Sequence, residues 1–406
     1  MFFIQAGNSM RVRRDKPLQI VIILEGTIKV NREKIFGILK YGRIHGPWRV
    51  HLMEGRPDEQ ILREFSEWGA TGMISDASMT GYSTYFHDAI IKAKLPTVIL
   101  DPHESLLRPE HPFSKFSVVS NDGKAVGRMG ADHFLERKLQ HFAFVDDVAC
   151  SNWSVFRREA FADRLAEEGY SCRVYEPLSD NEKIDWGVEH KRMIRWLQSL
   201  PKPVGIMAAM DARGRQILDA CFMAKIDVPH EICVLGVDND EIICDTTTPP
   251  MSSVMNDNEN GGYLAAKILD GLMQHRTRKR QVVCYRPLYV VSRRSTEVVF
   301  IRNKLVIDAL EYIRFNAGLN LQVMDIARHL GVSRRLLELN FKESLNTTII
   351  SEIQRFRFEY IKRLLLESNM SIAEITRLCG LGDESHLAAA FKKKFGITMT
   401  QFRKRQ

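Results

Sequence analysis

Five apolar stretches of the chain run straight into turns that carry carboxylates: Asp76, Asp101, Asp146 with Asp147, Asp211, and Asp238 with Asp240. A carboxylate is a two-oxygen acceptor, so several of them along one edge would form a surface for hydroxyl or other donor groups of a small ligand. Any one of them is equally well read as a turn former or a helix N-cap. A second chemistry sits at the other end of the molecule. From Thr296 to Gln406 there are 18 Lys or Arg against 12 Asp or Glu, so six of the eight net positive charges lie in the last quarter of the chain. A basic segment of that kind attracts an anionic partner, of which nucleic acid is the commonest.

The elements that must position the acids read as βα repeats. Leu18–Leu24 (L-Q-I-V-I-I-L) reads as a first buried strand, and further strands are expected at Val50–Met53, Gly72–Ser75, Thr97–Leu100, His141–Val145, Val204–Ala209 and Ile232–Val237. Amphipathic helices are expected around Glu33–Tyr41, Leu62–Trp68, Gly127–Arg137, Phe156–Glu168, Val188–Leu200 and Arg213–Lys225. Alternation of this type builds doubly wound parallel sheets, whose ligands lie at the carboxyl ends of the strands. The acidic turns fall on that edge.

After Arg293-Arg294-Ser295-Thr296 the strand pattern stops and the periodicity is helical to the end. This divides the chain into a basic tail over 1–16, an α/β domain over 17–296 and an all-α domain over 297–406. At 406 residues, two or three domains are expected. The seven cysteines never fall at the close paired spacings of a zinc site and read as reduced thiols, so no metal and no cofactor is expected. No apolar run approaches the length of a membrane span or a signal-peptide core, which points to the cytoplasm. Walker-type loops, a G-x-S-x-G elbow, H-E-x-x-H and a dinucleotide glycine pattern after the first strand are all missing, which argues against an enzyme.

The last hundred residues contain a partial repeat. Ile326-Ala327-Arg328-His329-Leu330-Gly331-Val332 aligns with Ile375-Thr376-Arg377-Leu378-Cys379-Gly380-Leu381, and Leu337 with Phe341 aligns with Leu387 and Phe391. Each copy is a helix, a turn with a glycine suited to a left-handed conformation, and a second helix. Ser371 and Glu374 form a capping box before the second copy, and Ile349–Leu366 reads as the helix that joins the two. These residues, and F-K-K-K-F-G-I-T-M-T-Q-F-R at 391–403, resemble the AraC-type DNA-binding domain. The resemblance implies two recognition helices entering successive major grooves of double-stranded DNA. Side chains exposed near the start of those helices would reach base edges: Arg334, Arg335 and Glu338 in one, Glu384, Ser385 and His386 in the other. Lys392, Lys393 and the adjacent Lys394 fit phosphate contacts. Leu339 and Ala389 stand where the family often has a basic residue, and Thr376 where it often has alanine.

The region from about Leu18 to Thr296 resembles the periplasmic-binding-protein-like, two-lobed sensor of LacI-type regulators. The motifs that carry this are V-V-S-N-D-G-K-A-V-G-R-M-G-A-D-H-F-L at 118–135, V-P-H-E-I-C-V-L-G-V-D-N-D at 228–240, M-S-S-V-M at 251–255 before a helix, and R-R-S-T at 293–296. A sensor first and an AraC-type reader last is the order of the XylR-like, xylose-operon regulator family, which Trp153 with Arg157, M-D-A-R-G-R at 210–215 and V-D-N-D-E at 237–241 also fit. The resemblance implies a sugar effector, xylose or a related monosaccharide. Asp76, Arg157, Asp211 and Asp238 would grip pairs of hydroxyls, and Trp153 would cover the ring's C–H face, although a tryptophan is often simply core. The loop Glu25–Lys29 would form another wall. The implied partners are DNA, the sugar, a second copy in a homodimer and RNA polymerase. Two other readings remain at this point: an effector that is not a sugar, and an amino-terminal domain that only dimerises.

Overall fold

The computed structural model describes the chain outside residues 1–16, 54–67, 78–83, 149–150, 176–185, 278, 299–302, 317, 319, 346, 369, 380–383, 396 and 404–406. The basic tail and nearly all of the helix expected at Leu62–Trp68 lie outside the described residues. The chain forms two compact units, residues 1–298 and 299–406.

Among the described residues, the first unit contains two six-stranded sheets. Its elements begin β1 (Leu18–Ile23), α1 (Lys29–His45), β2 (Trp48–Met53), β3 (Gly72–Asp76), α2 (Thr84–Lys92), β4 (Thr97–Leu100) and β5 (Ser117–Asn121). They continue α3 (Gly123–Glu136), β6 (His141–Val145), α4 (Asn152–Glu167), β7 (Cys172–Tyr175), α5 (Trp186–Ser199), β8 (Val204–Ala208), α6 (Asp211–Ala224), β9 (Ile232–Val237), α7 (Glu241–Thr246) and β10 (Ser252–Asn256). Helix α8 (Asn258–Met273) and strands β11 (Val282–Tyr285) and β12 (Pro287–Val291) follow. The first sheet has the order β11-β5-β4-β3-β1-β2 and the second β12-β10-β9-β8-β6-β7. Every described pair is parallel except β10 with β12.

Central strands covered on both faces need apolar side chains at successive positions. Residues Ile20–Leu24 and Ile232–Val237 are all buried accordingly. The strands expected from apolar runs are therefore present. The serine-rich β5 and β10, and the partly exposed β7, β11 and β12, did not announce themselves in that way.

The chain passes between the two lobes at β5–α3, β10–α8 and β11–β12. The first two passages share a sequence: S-V-V-S-N-D at 117–122 and S-S-V-M-N-D at 252–257. Each lobe also has a close helix pair. A Cβ on Gly37 of α1 would stand 1.8 Å from the Glu259 carbonyl oxygen of α8, and one on Gly127 of α3 would stand 2.2 Å from the Arg157 carbonyl oxygen of α4. Only glycine permits these approaches, and they set the positions of Lys34 on α1 and Arg157 on α4.

The second unit is helical: α9 (Lys304–Phe315), α10 (Val323–His329), α11 (Arg334–Leu345), α12 (Ile349–Glu367), α13 (Ile372–Leu378), α14 (Glu384–Phe395) and α15 (Met399–Arg403). The repeat appears as α10–α11 and α13–α14, joined by α12. Gly331 sits at φ 65°, the left-handed turn its place in the repeat requires. The Ser371/Glu374 capping box is formed as expected. Thr376 is buried, and its hydroxyl donates to the Ile372 carbonyl at 2.8 Å, so it replaces an apolar residue without leaving a polar group unmet.

Candidate functional site

The three passages between lobes are tied side by side. Asp122 N donates to Tyr285 O at 2.8 Å, Asp257 N to Arg286 O at 3.3 Å, and Asn121 Nδ2 to Asn256 Oδ1 at 3.2 Å. Two asparagines at matching positions of the two S-x-V-x-N-D segments thus meet at the floor of the cleft between the lobes. The carboxyl ends of both parallel sheets open onto this cleft, where such sheets bind ligands.

On the first lobe, Lys34 Nζ pairs with Asp101 Oδ2 at 2.5 Å, and Asp101 Oδ1 accepts from Asn121 N at 2.7 Å. Lys34 is 3% exposed. Burial pulls its ammonium down, but Asp101, the Tyr285 phenol and Asp76 together hold it well above the ordinary lysine value. The Tyr285 phenol is itself raised by burial and by Asp101. Asp76, at the end of β3, is buried in the same field of charge.

On the second lobe, Arg157 is 5% exposed. Its Nη1 donates to the Ala209 carbonyl at 2.5 Å, and its Nη2 to Asn121 Oδ1 at 3.3 Å and toward Asp238 Oδ1 at 3.8 Å. Asn256 Nδ2 donates to the same Asp238 oxygen at 3.1 Å. Trp153, one helical turn before Arg157, lays its ring 4.8 Å from the guanidinium carbon. Arg157 Nε is buried and has no hydrogen-bond partner among the described residues. Asp238 has φ 101° and Asp101 has φ 42°, both in a region that costs a non-glycine residue energy. Both occupy the first position after a strand, one in each lobe, at the edge that faces the cleft.

Asp76, Trp153, Arg157 and Asp238 are therefore brought to the facing edges of the cleft. Asp211 is placed differently. It is 2% exposed, and both its oxygens accept from the protein: Oδ1 from Ser253 Oγ at 2.6 Å, Oδ2 from Asp240 N at 2.7 Å. It supports the Asp238–Asp240 loop from behind. Asp146 and Asp147 hold Ser151 and Ser154 at the start of α4, and so act as the cap-like acids of the second reading. The acidic-turn pattern did not single out Lys34, Asn121, Asn256 or Tyr285; the repeated S-x-V-x-N-D is the signal that marks the two asparagines. The Glu25–Lys29 loop reaches the cleft mouth through Lys29, whose ammonium bonds the Asn239 carbonyl and lies 2.7 Å from Glu241 Oε2.

Burial, then the Asp238 carboxylate, push Asp211 from its ordinary 3.8 up to about 8, against the Ser253 hydroxyl and Asp240 amide that favour the charge. Between those values the folded chain keeps a proton that the unfolded chain has lost, so stability declines as pH rises through the window and levels off above it. Asp211→Asn cannot titrate. The unfolding temperature of the variant relative to the wild type is expected to improve steadily from about pH 5 to about pH 8.5, by the equivalent of a few kcal/mol. Thermal unfolding across that range checks it; a difference independent of pH would contradict it.

In the second unit, α11 and α14 carry the residues expected from the sequence to meet DNA. Arg334, Arg335, Glu338, Glu384, Ser385, His386, Lys392 and Lys393 are all exposed. Arg334 Nε donates to Glu338 Oε1 at 2.7 Å, so these two act as a pair. The opposite faces are core: Leu337 and Phe341 of α11, Leu387 and Phe391 of α14. Among the described residues no helix is long and apolar enough to cross a membrane.

A periplasmic binding protein-like domain matches residues 131–296, and a helix-turn-helix domain matches residues 326–405. The xylose operon regulatory protein of Haemophilus influenzae is 35% identical over 293 residues, 72% of this chain and 76% of that one. Its Escherichia coli counterpart is 28% identical over 388 residues, 95% of this chain and 96% of that one. A solved structure of a xylose-binding transcription activator, XylR, covers 96% of this chain and 98% of its own at 28% identity and a TM-score of 0.61.

Proposed function

The chain belongs to the family of xylose operon regulatory proteins, and from that premise we propose that it is a transcription regulator whose hold on DNA is set by a monosaccharide, D-xylose, in the interlobe cleft. The observation that carries this is the pairing of Arg157 with Asp238 across from Lys34 and Asp101, on a floor made by Asn121 and Asn256. Forked donors and acceptors in a confined space suit the adjacent hydroxyls of a pentose, and Trp153 supplies an apolar face. Arg157, Asp238 and Asp76 bind hydroxyls in this reading, while Asp211 positions the Asp238 loop. The proposal includes a homodimer in the cytoplasm with no catalytic activity, acting with RNA polymerase. Domain limits of 17–296 and 297–406 complete it.

Thermal unfolding across a panel of pentoses and hexoses tests the sugar assignment. A ligand at 100 times its dissociation constant stabilises the folded state by about 2.7 kcal/mol, so D-xylose is expected to give the largest upward shift. No shift with any sugar would contradict the reading.

For the DNA-reading unit, Lys392→Gln with Lys393→Gln is expected to weaken binding to all duplexes alike. If both lysines meet phosphates, the slope of log affinity against log salt falls by about 2. An unchanged slope would remove them from the interface.

A further inference from the structure

Asn239 touches three parts of the first unit at once. Its carbonyl accepts from Lys29 of the opposite lobe, and its amide donates to Ser253 Oγ at 2.9 Å. Its side-chain Oδ1 accepts from Arg293 Nη1 at 2.8 Å. The residue is 5% exposed, sits at φ 49°, and directly follows Asp238. Arg293 also bonds the Met251 carbonyl at 3.1 Å and Asp245 at 2.8 Å.

Arg293 opens the segment through which the chain leaves this unit. That segment is welded to the second lobe. Arg293 N donates to Ser252 Oγ at 2.7 Å, Ser295 Oγ donates to the Val234 carbonyl at 2.6 Å, and Arg137 Nε donates to the Thr296 carbonyl at 2.7 Å. Thr296 Oγ1 lies 2.7 Å from Ser252 Oγ and 2.9 Å from His133 Nε2, and both Ser295 and Thr296 are fully buried. R-R-S-T is thus the anchor of the exit, and Arg293 is its hydrogen bond to the loop that carries Asp238.

We infer that the Asn239–Arg293 hydrogen bond transmits occupancy of the cleft to the exit segment, making Asn239 and Arg293 the residues that couple sugar to DNA. Two inputs converge on Asn239: a ligand held by its neighbour Asp238, and lobe closure felt through Lys29. The output is a side chain whose segment has little other freedom. A coupling of this kind requires that the two ends be biased by the same element, and the Asp238–Asp240 loop is that element.

This inference rests on the sugar-regulator reading, and its test separates the two. Calorimetry with D-xylose reads cleft binding. Fluorescence anisotropy of the full chain on a duplex selected from random sequence, with and without saturating D-xylose, reads coupling. Wild type is expected to show a ratio of DNA affinities in the range of about 5- to 150-fold. Asn239→Gly keeps the backbone conformation and deletes the Oδ1 acceptor, together with the longer Nδ2 bond to Glu241 Oε1 at 3.4 Å. Its D-xylose affinity is expected to stay within about threefold while the ratio falls to within about twofold of unity. Asn239→Asp keeps both the acceptor and the left-handed tolerance, and should keep most of the ratio. Arg293→Gln, tested from the other end, should behave like Asn239→Gly, with thermal unfolding confirming a folded chain. A wild-type ratio in Asn239→Gly overturns the inference. No D-xylose binding by the wild type overturns the sugar reading and this inference with it.

Discussion

Arg157→Ala is expected to lower D-xylose affinity at least about 100-fold in a calorimetric titration, with the fold intact. Arg157 is nearly fully buried and stands between the two lobes, bonded to Ala209 of its own and Asn121 of the other. Hydrogen bonds from a charged group contribute roughly 1.5–3 kcal/mol each, and losing two such contacts to ligand hydroxyls removes about 3 kcal/mol or more. That converts to the hundredfold at about 1.4 kcal/mol per decade. The substitution also leaves Asp238 without its cation in a cleft that already holds Asp101 and Asp76. Arg157→Lys should rescue little, because an ammonium cannot reproduce a planar fork. An affinity within about fivefold of wild type in Arg157→Ala would remove Arg157 from the ligand contacts.

Phe391→Ala is expected to abolish measurable DNA binding while leaving sugar binding unchanged. Phe391 is fully buried, with ring centroids 4.6 Å from Phe395, 5.6 Å from Phe402 and 6.2 Å from Phe358. It is the common anchor of α12, α14 and α15. Truncating a buried phenylalanine costs about 3–5 kcal/mol, which rivals the total stability of a helical subdomain this small. The second helix-turn-helix should unfold locally, seen as loss of hydrogen-exchange protection over residues 372–403. The first unit has its own cores, so its D-xylose isotherm should be unaltered. Retained DNA affinity would mean that the first helix-turn-helix carries binding alone.

What could be read in the amino-acid sequence follows from how each residue is used. Strands such as Ile20–Leu24 and Ile232–Val237 are buried on both faces, so they appear as unbroken apolar runs. The helix-turn-helix pair was legible because its packing positions recur: Phe341 with Phe391, Leu337 with Leu387, each on the buried face of its helix. Strands β5 and β10 were missed because serines and an asparagine serve hydrogen bonds at the lobe junction, which gives no apolar signal. For the cleft, strand-end acids were a correct guide to the edge but could not distinguish their tasks. Asp76 and Asp238 stand at the cleft, whereas the oxygens of Asp211 and Asp147 are taken by neighbouring donors. Lys34 lies on a helix at an ordinary core-facing position, and only the close approach of α1 to α8 puts its ammonium beside Asp101. The positive φ of Asp238 and Asn239, in a loop with no glycine, was likewise beyond any local propensity.

A sugar in the cleft is expected to control DNA binding. The most direct measurement is the affinity of the full chain for its selected duplex at one fixed salt concentration, with and without saturating D-xylose. A change of at least about fivefold is predicted, in the range that coupling free energies of 1–3 kcal/mol produce. Identical affinities in the two conditions, with D-xylose binding confirmed by calorimetry, would contradict it.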